Sequence, residues 1–150
     1  MAAVDKLYTS TAVVTVKAGD KFNGITVAWI TRVSWDPVMV AISIGKARYS
    51  HELLSKAEGF CVCVLGKEAE SIAMRFGTLS GRDSDKFAGI PHTFTERGYP
   101  VPAGTIAYME CEKVGSCDAG DHTVFIGKVV GDKILKNEEP MIFGEGRILP

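Results

Sequence analysis

The chain lacks the features of several large protein classes. No apolar run approaches the roughly 20 residues that a helix needs to span a bilayer, and the first residues carry Asp5 and Lys6 with no apolar stretch typical of a secretory signal. The formal net charge is −1 and the cations are spread along the 150 residues, so the clustered positive surface that nucleic acid requires is not expected. We therefore expect a globular, cytoplasmic protein that binds neither membrane nor nucleic acid.

Common nucleotide-binding and catalytic motifs are also missing. There is no G-x-G-x-x-G, no G-x-x-x-x-G-K-[ST] and no G-x-S-x-G, which excludes a Rossmann domain, a P-loop and an α/β-hydrolase. His51-Glu52 matches half of the zinc motif H-E-x-x-H, but Ser55 occupies the position of the second histidine. No metal site is expected.

Four cysteines are present without C-x-x-C spacing: Cys61, Cys63, Cys111 and Cys117. Cys61 and Cys63 belong to one β-branched run, where a strand would direct both thiols to the same face. We predict that Cys61 and Cys63 are small buried core side chains.

Strand signals outnumber helix signals. With 46% hydrophobic and 23% charged residues, the composition is that of one globular domain, residues 1–150, which would bury about 70% of its extended-chain surface. The patterns predict strands near 11–17, 24–33, 38–44, 60–65, 104–114 and 122–131, and helices near 50–57 and 67–76. The fold class is mainly β, a barrel-like sheet with two short helices.

The second helix and the segment after it have opposite patterns. Ala69, Ile72, Ala73 and Phe76 recur at helical spacing, and Gly77 supplies a stop. Residues 78–102 are rich in glycine and proline, which predicts a loop with one short strand at 92–96. Long loops of this kind are often functional.

The last two strands look apolar on both faces. In the 105–113 run, Ile106 and Tyr108 lie on one face and Met109 and Cys111 on the other, and the 122–130 run repeats this pattern. Two short helices offer little cover for a second apolar face. Self-association is the expected solution.

The segment from Phe22 to Leu54 predicts an anion-binding cradle. It reads as two strands joined by a turn at Trp35-Asp36-Pro37, then a polar loop with Gly45, Lys46 and Arg48, then a helix with Ser50 as N-cap. Backbone N–H groups at such a helix start attract anions.

Three motifs in this order resemble the flavin reductase-like, FMN-binding split-barrel family. They are the 22–54 segment with its Arg48-Tyr49-Ser50-His51 loop, the Ser80-Gly81-Arg82-Asp83 to Phe87 loop, and the Gly120-Asp121-His122-Thr123 strand. The resemblance spans roughly residues 10 to 135. It implies a Greek-key split barrel and a homodimer with flavin near the subunit interface.

The resemblance also implies site residues. The cofactor-binding residues are Thr26, Val27, Ala28, Trp29, Ile30, Ser43, Ile44, Gly45, Arg48, Tyr49, Ser50 and Lys86, and the candidate catalytic residue is His122. The 26–30 backbone would follow the isoalloxazine edge, Arg48 to Ser50 would hold the phosphate, and Lys86 would stabilise the anionic reduced ring near N1 and O2. His122 would contact the hydride donor; the alternative, a histidine that only hydrogen-bonds its neighbouring loop, stays open, as does a solvated surface role for Lys86. Phe87 is expected to anchor its loop in the core.

The implied function is that of an FMN-binding oxidoreductase, with FMN preferred over FAD. One reading is an NAD(P)H-dependent flavin or ferric reductase, in which NAD(P)H binds transiently over the flavin and electrons pass to free flavin, a ferric complex or a partner oxygenase. The alternative is a non-enzymatic electron carrier, resembling flavoredoxin, that takes electrons from a redox protein partner. The sequence does not separate the two.

Overall fold

Most of the chain forms one twisted antiparallel sheet. The computed structural model describes residues 1–150. The strands are β1 Thr9–Ser10, β2 Ala12–Ala18, β3 Lys21–Val27, β4 Ile30–Trp35, β5 Val38–Gly45, β6 Gly59–Leu65, β7 His92–Phe94, β8 Pro100–Pro102, β9 Thr105–Ala119, β10 His122–Ile134, β11 Ile142–Gly144 and β12 Arg147–Ile148. Seven of them pair in the order β3-β2-β6-β9-β10-β5-β4, while β1-β11-β12 and β7-β8 form small separate sheets. The mainly β fold is confirmed.

Two helices and one 3-10 turn complete the fold. The turn is Ala3–Lys6, α1 is Tyr49–Lys56 and α2 is Glu70–Thr78. No helix is long and apolar enough to cross a membrane.

The sheet has an apolar cluster on each face because alternate residues of its central strands point in opposite directions. In β2, Val14 joins a cluster with Ile42, Phe60 and Phe125, whereas Val13 joins a cluster with α2, the 87–101 segment and Met141. In the second cluster, residues of the same chain cover the second apolar face of β2, so no other subunit is needed there. The outward row of β10 remains only half buried: Val124, Ile126 and Val130.

The predicted strand 24–33 is wrong as one element. It divides into β3 and β4 at Ala28-Trp29, where the Thr9 hydroxyl donates to the Ala28 carbonyl and the Ser43 amide donates to the Trp29 carbonyl at 3.0 Å. Nothing in the β-branched run marks this break, which depends on contacts from distant strands. The predicted hairpin is confirmed, with Trp35 opposite Val38.

Both helices are shifted from their predicted bounds. α1 begins one residue earlier, with Arg48 as its N-cap in extended conformation, because the Ser50 hydroxyl is buried and accepts a hydrogen bond from Asn23 Nδ2 at 2.9 Å. α2 continues through Gly77. The short strand in the 78–102 loop is present as β7, and Phe87 is buried as predicted.

Cys61 and Cys63 are buried as predicted, Cys111 is also buried, and Cys117 is exposed. β6 pairs with β9 only as far as Glu112, so the outer part of β9, where Cys117 lies, pairs with β10 alone. The Cys61 and Cys63 sulfurs are 3.9 Å apart. That contact and burial raise the pKa of Cys61, and burial raises the pKa of Cys111 to about 12. Cys61 and Cys111 are therefore neutral thiols at ordinary pH.

Candidate functional site

One cavity of about 890 Å³ collects most of the predicted site residues. Its wall is built by the β3–β4 junction, the end of β5, the inner side of α2, the start of β10 and the β11–β12 hairpin. The predicted residues in the wall are Thr26, Val27, Ala28, Trp29, Ser43, Ile44, Gly45, Arg48 and His122. These residues are distant in sequence and meet because β5 pairs with β10, with Gly45 opposite His122.

Arg48 connects the cavity wall to the end of α2. Its Nη2 donates to the Gly77 carbonyl at 3.2 Å, and the Thr26 hydroxyl donates to the Ala73 carbonyl at 2.6 Å. Both contacts satisfy carbonyls in the last turns of the helix, where a cation is also favoured by the helix dipole. Gly45 lies beside both Arg48 and His122, since a Cβ on it would be in ordinary van der Waals contact with the Arg48 Cγ at 3.5 Å and the His122 Nε2 at 3.8 Å.

Lys86 does not line the cavity. Its side chain is buried, with Nζ donating to the Gly24 carbonyl at 2.8 Å and the Phe76 carbonyl at 3.1 Å. Burial, and then the nearby Arg48 charge, lowers the pKa of Lys86 from 10.5 to about 8. The structure therefore places Lys86 as a cation that caps α2, behind the cavity wall, and the alternative of a solvated loop lysine is wrong.

Three other predicted residues also lie outside the lining. The Ser50 hydroxyl is held by Asn23, and the Tyr49 ring lies 5.1 Å from the Arg82 guanidinium. Ile30 borders a neighbouring cavity of about 570 Å³. Of the predicted phosphate loop, Arg48 alone reaches the large cavity with its side chain.

His122 is held from two sides. Its Nδ1 lies 2.7 Å from the Asp121 Oδ1, and its ring stacks on the Trp29 indole with centroids 4.7 Å apart at a tilt of 36°. The hydrogen bond from His122 lowers the pKa of Asp121, so this carboxylate is ionised. The other ring nitrogen, Nε2, lies towards Gly45, 3.8 Å from where a Cβ on that residue would be.

His51, the other histidine near the cradle, has a structural contact. Its Nε2 lies 2.8 Å from the Thr123 hydroxyl, and its ring packs edge-on against Phe125 at 5.7 Å. This joins α1 to β10. Thr123 directly follows His122 on β10, so this contact helps to fix the part of the cavity wall that His122 forms.

The wall suits a flavin in its polar groups and in its apolar surface. Thr11 lines the cavity and is 1% exposed, yet its hydroxyl has no hydrogen-bond partner in the protein. β3 and β4 are the two edge strands of the sheet, so backbone groups on their outer sides are not used by the ladder. Together with Arg48, these groups match a ligand that carries ring heteroatoms and a phosphate, and Trp29, Met74 and Phe143 offer apolar surface.

Several residues that line the cavity were not among the predicted site residues. They are Thr11, Ile25, Lys46, Ala47, Glu70, Ala73, Met74, Gly77, Thr78, Asp121, Phe143, Gly146, Arg147 and Ile148. Lys46 lies in the predicted anion-binding loop and Asp121 in the Gly120-Asp121-His122-Thr123 motif. Their positions in these motifs are the sequence signal from which they could have been predicted as site residues. The C-terminal hairpin carries no motif, and its place beside β1 is a long-range pairing, Thr9 opposite Phe143.

The flavin reductase like domain model matches residues 4–149. The chain is 39% identical over 133 residues to the high molecular weight rubredoxin of Moorella thermoacetica, covering 87% of this chain and 58% of that protein. It is 32% identical over 144 residues to the FMN reductase (NADH) SmoA of Agrobacterium fabrum, covering 96% and 80%.

The solved structure of the NADH:FAD oxidoreductase SgcE6 of Streptomyces globisporus superimposes with a TM-score of 0.91 at 32% identity, covering 98% of this chain and 88% of that one. The chain therefore belongs to the flavin reductase like domain family and has its split-barrel fold. It spans less than two thirds of the length of the Moorella protein.

Proposed function

We propose that this member of the family is an NAD(P)H-dependent flavin reductase that binds FMN, in preference to FAD, in the large cavity. The observation that carries the proposal is the meeting of Arg48, the β3–β4 junction and the Trp29–His122 pair on one wall. Relatives named FMN reductase (NADH), NADH-dependent FAD reductase and flavin reductase support it.

Each part of the wall has a separate task. Arg48 holds the flavin phosphate with a charge-assisted contact. The Thr26–Trp29 backbone and the Thr11 hydroxyl orient the ring edge, and Lys86 keeps the end of α2, and with it Arg48, in place. A bound flavin supplies the hydride-accepting and electron-transferring chemistry, which this chain's side chains do not have.

His122 lies where a hydride donor would enter. Asp121 and Trp29 restrict its ring to one orientation, so its contact with the donor is preorganised rather than formed at the cost of side-chain entropy. Trp29 is 58% exposed, so its ring is accessible to an entering donor.

We also propose that the protein is a cytoplasmic homodimer. Apolar side chains on the edge strand β4 and the adjoining turn support the dimer, because Val33 is 47% and Trp35 is 79% exposed. The location follows from the proposed donor, which is a metabolite of the cell interior.

A second function, electron transfer to or from a redox protein, is favoured by one observation. The relative at 39% identity is named a rubredoxin rather than a reductase. In this reading the same cavity holds the flavin, but a protein replaces the nicotinamide as donor. Relatives named putative diflavin flavoproteins match at 28% and 30% identity.

Anaerobic stopped-flow mixing of the FMN-loaded protein with NADH or NADPH separates the two functions. Rapid loss of the visible flavin absorbance is expected for the reductase. Absence of reduction by either nucleotide, with reduction by a chemical reductant intact, would favour the electron carrier. Protein loaded with FAD gives the comparison for the flavin preference.

A further inference from the structure

The β11–β12 hairpin presents a cation to the cavity from a rigid support. Glu145 and Gly146 form its two-residue turn with φ values of 53° and 76°, the pattern of a tight hairpin turn. The turn is fixed to the N-terminal segment, because the Glu145 amide donates to the Asp5 carbonyl at 2.8 Å and the Glu145 carboxylate forms an ion pair with Lys6. Arg147 follows directly and lines the cavity.

Arg147 differs from the other cations of the wall in having no protein partner. Lys46 pairs with Asp118 at 3.5 Å, and Arg48 donates to the Gly77 carbonyl. Arg147 makes neither an ion pair nor a hydrogen bond through its side chain. Neither carboxylate in the cavity wall forms an ion pair with Arg147. Asp121 is hydrogen-bonded to His122, and Glu70 lies in the first turn of α2, where the helix dipole stabilises its charge.

The position of Arg147 indicates which anion it serves. Its hairpin neighbours Phe143 and Gly146, together with Trp29 and Ser43, border both the large cavity and the adjoining 570 Å³ cavity. Trp29 is the ring that stacks on His122. Arg147 therefore adjoins, through Phe143 and Gly146, the part of the lining that contains Trp29.

We propose that Arg147 binds the diphosphate of the nicotinamide dinucleotide and so determines the specificity for the hydride donor. This rests on the proposed reductase function. A guanidinium with its full set of donors free matches the two adjacent phosphate groups. The smaller cavity lacks cations in its lining and contains one acidic residue, Asp5, so it does not offer an alternative place for the diphosphate.

The test compares Arg147→Gln with wild type, using FMN-loaded protein and donors with and without phosphate. With NADH, kcat/KM should fall about tenfold through KM, as expected for one charge-assisted contact at a partly exposed site. With 1-benzyl-1,4-dihydronicotinamide, which has no phosphate, it should be unchanged. Arg147→Lys should restore part of the NADH value. Lys133→Gln, which removes an exposed cation outside the cavity lining, is the matched control and should leave both donors unaffected.

Each result has a defined meaning. An equal loss with both donors, or weaker FMN binding, would overturn the proposal, because Arg147 would then act on the flavin or on the fold. A loss seen with NADPH but not with NADH would mean that Arg147 binds the 2′-phosphate, which only NADPH carries, and would overturn its assignment to the diphosphate. If wild type is reduced by no dihydronicotinamide, the reductase function itself fails. Titration of the oxidised protein with NAD⁺ then tests the role of Arg147 separately from the reductase function. Weaker NAD⁺ binding by Arg147→Gln than by wild type supports the assignment to the diphosphate, and equal binding overturns it.

Discussion

Asp121 and His122 form a hydrogen-bonded pair between consecutive residues, with Oδ1 and Nδ1 2.7 Å apart. The turn before β10 makes this possible, because Gly120 adopts φ 63° and the Asp121 carbonyl accepts from the Lys46 amide at 2.9 Å. The backbone of β5 thus fixes Asp121, and Asp121 orients the histidine. A histidine held in this way, stacked on Trp29 and facing a cavity, is built for contact with a ligand.

His122→Ala should slow the reduction of bound FMN by NAD(P)H while leaving flavin content and Tm close to wild type. The side chain makes no contact on which the core depends, and its loss removes an interaction formed only when the donor is present. Single-turnover stopped-flow traces under anaerobic conditions measure the effect. Asp121→Asn should show a smaller effect of the same kind, since the amide oxygen can still accept from Nδ1.

Two outcomes would contradict this role. Loss of flavin or a large drop in Tm for His122→Ala would mean that the histidine is structural. An unchanged reduction rate would favour the electron-carrier function. Lys128→Ala, on the same strand but outside the cavity lining, is the control for nonspecific effects.

Arg48→Ala should weaken FMN binding by about 1.5–3 kcal/mol, the usual worth of a hydrogen bond to a charged group. Fluorescence titration of the apoprotein with FMN gives the dissociation constant, and riboflavin, which lacks the phosphate, should bind wild type and variant alike. Arg82→Ala is a matched control, because Arg82 pairs with Glu52 and lies over Tyr49 but does not line the cavity. Equal weakening of riboflavin binding would show that Arg48 supports the fold rather than the phosphate.

The sequence predicted those parts of the site that are local. The hairpin at Trp35–Val38 pairs neighbours in sequence, and the Arg48 amide donates to the Gly45 carbonyl three residues earlier, so these patterns carry the information. His122 was predictable because it opens a strand behind Gly120. Its stacking partner Trp29 was predicted separately, as one of the cofactor-binding residues.

Long-range contacts account for what the sequence did not predict. Lys86 stands in a run of alternating charge that is typical of a solvated loop, yet its ammonium is buried against carbonyls of Gly24 and Phe76. Thr11 and Arg147 reach the cavity through the pairing of β1 with β11, and neither position has a local signal. The two carbonyls that accept from Lys86 belong to β3 and α2, so a local sequence pattern around Lys86 does not include them.

In light scattering, the flavin-loaded protein should have twice the chain mass of 16.1 kDa. Trp35→Glu should shift the population towards monomer, because it places a charge on an exposed apolar site of the edge strand β4. Phe94→Glu changes a 55% exposed side chain on the separate β7–β8 sheet and should leave the dimer intact. A wild-type monomer that binds flavin would contradict the proposed assembly.

Lys86 should make the stability of the protein depend on pH in the alkaline range. Its pKa is about 8 in the folded protein against 10.5 ordinarily, so between these values the unfolded chain binds more protons than the folded one. The free energy of unfolding then rises with pH through this window. Below about pH 8 Lys86 is charged in both states, and the full cost of burying the charge is present.

Lys86→Met removes this titration without removing the aliphatic volume. Urea unfolding of wild type and variant at intervals from pH 7 to about pH 10.5 gives the difference in unfolding free energy, in which the other titrating groups cancel. Wild type should gain stability relative to Lys86→Met as the pH rises through the window. A difference that stays constant with pH would mean that the Gly24 and Phe76 carbonyls solvate the ammonium as well as water does, and that Lys86 remains charged in the folded protein throughout.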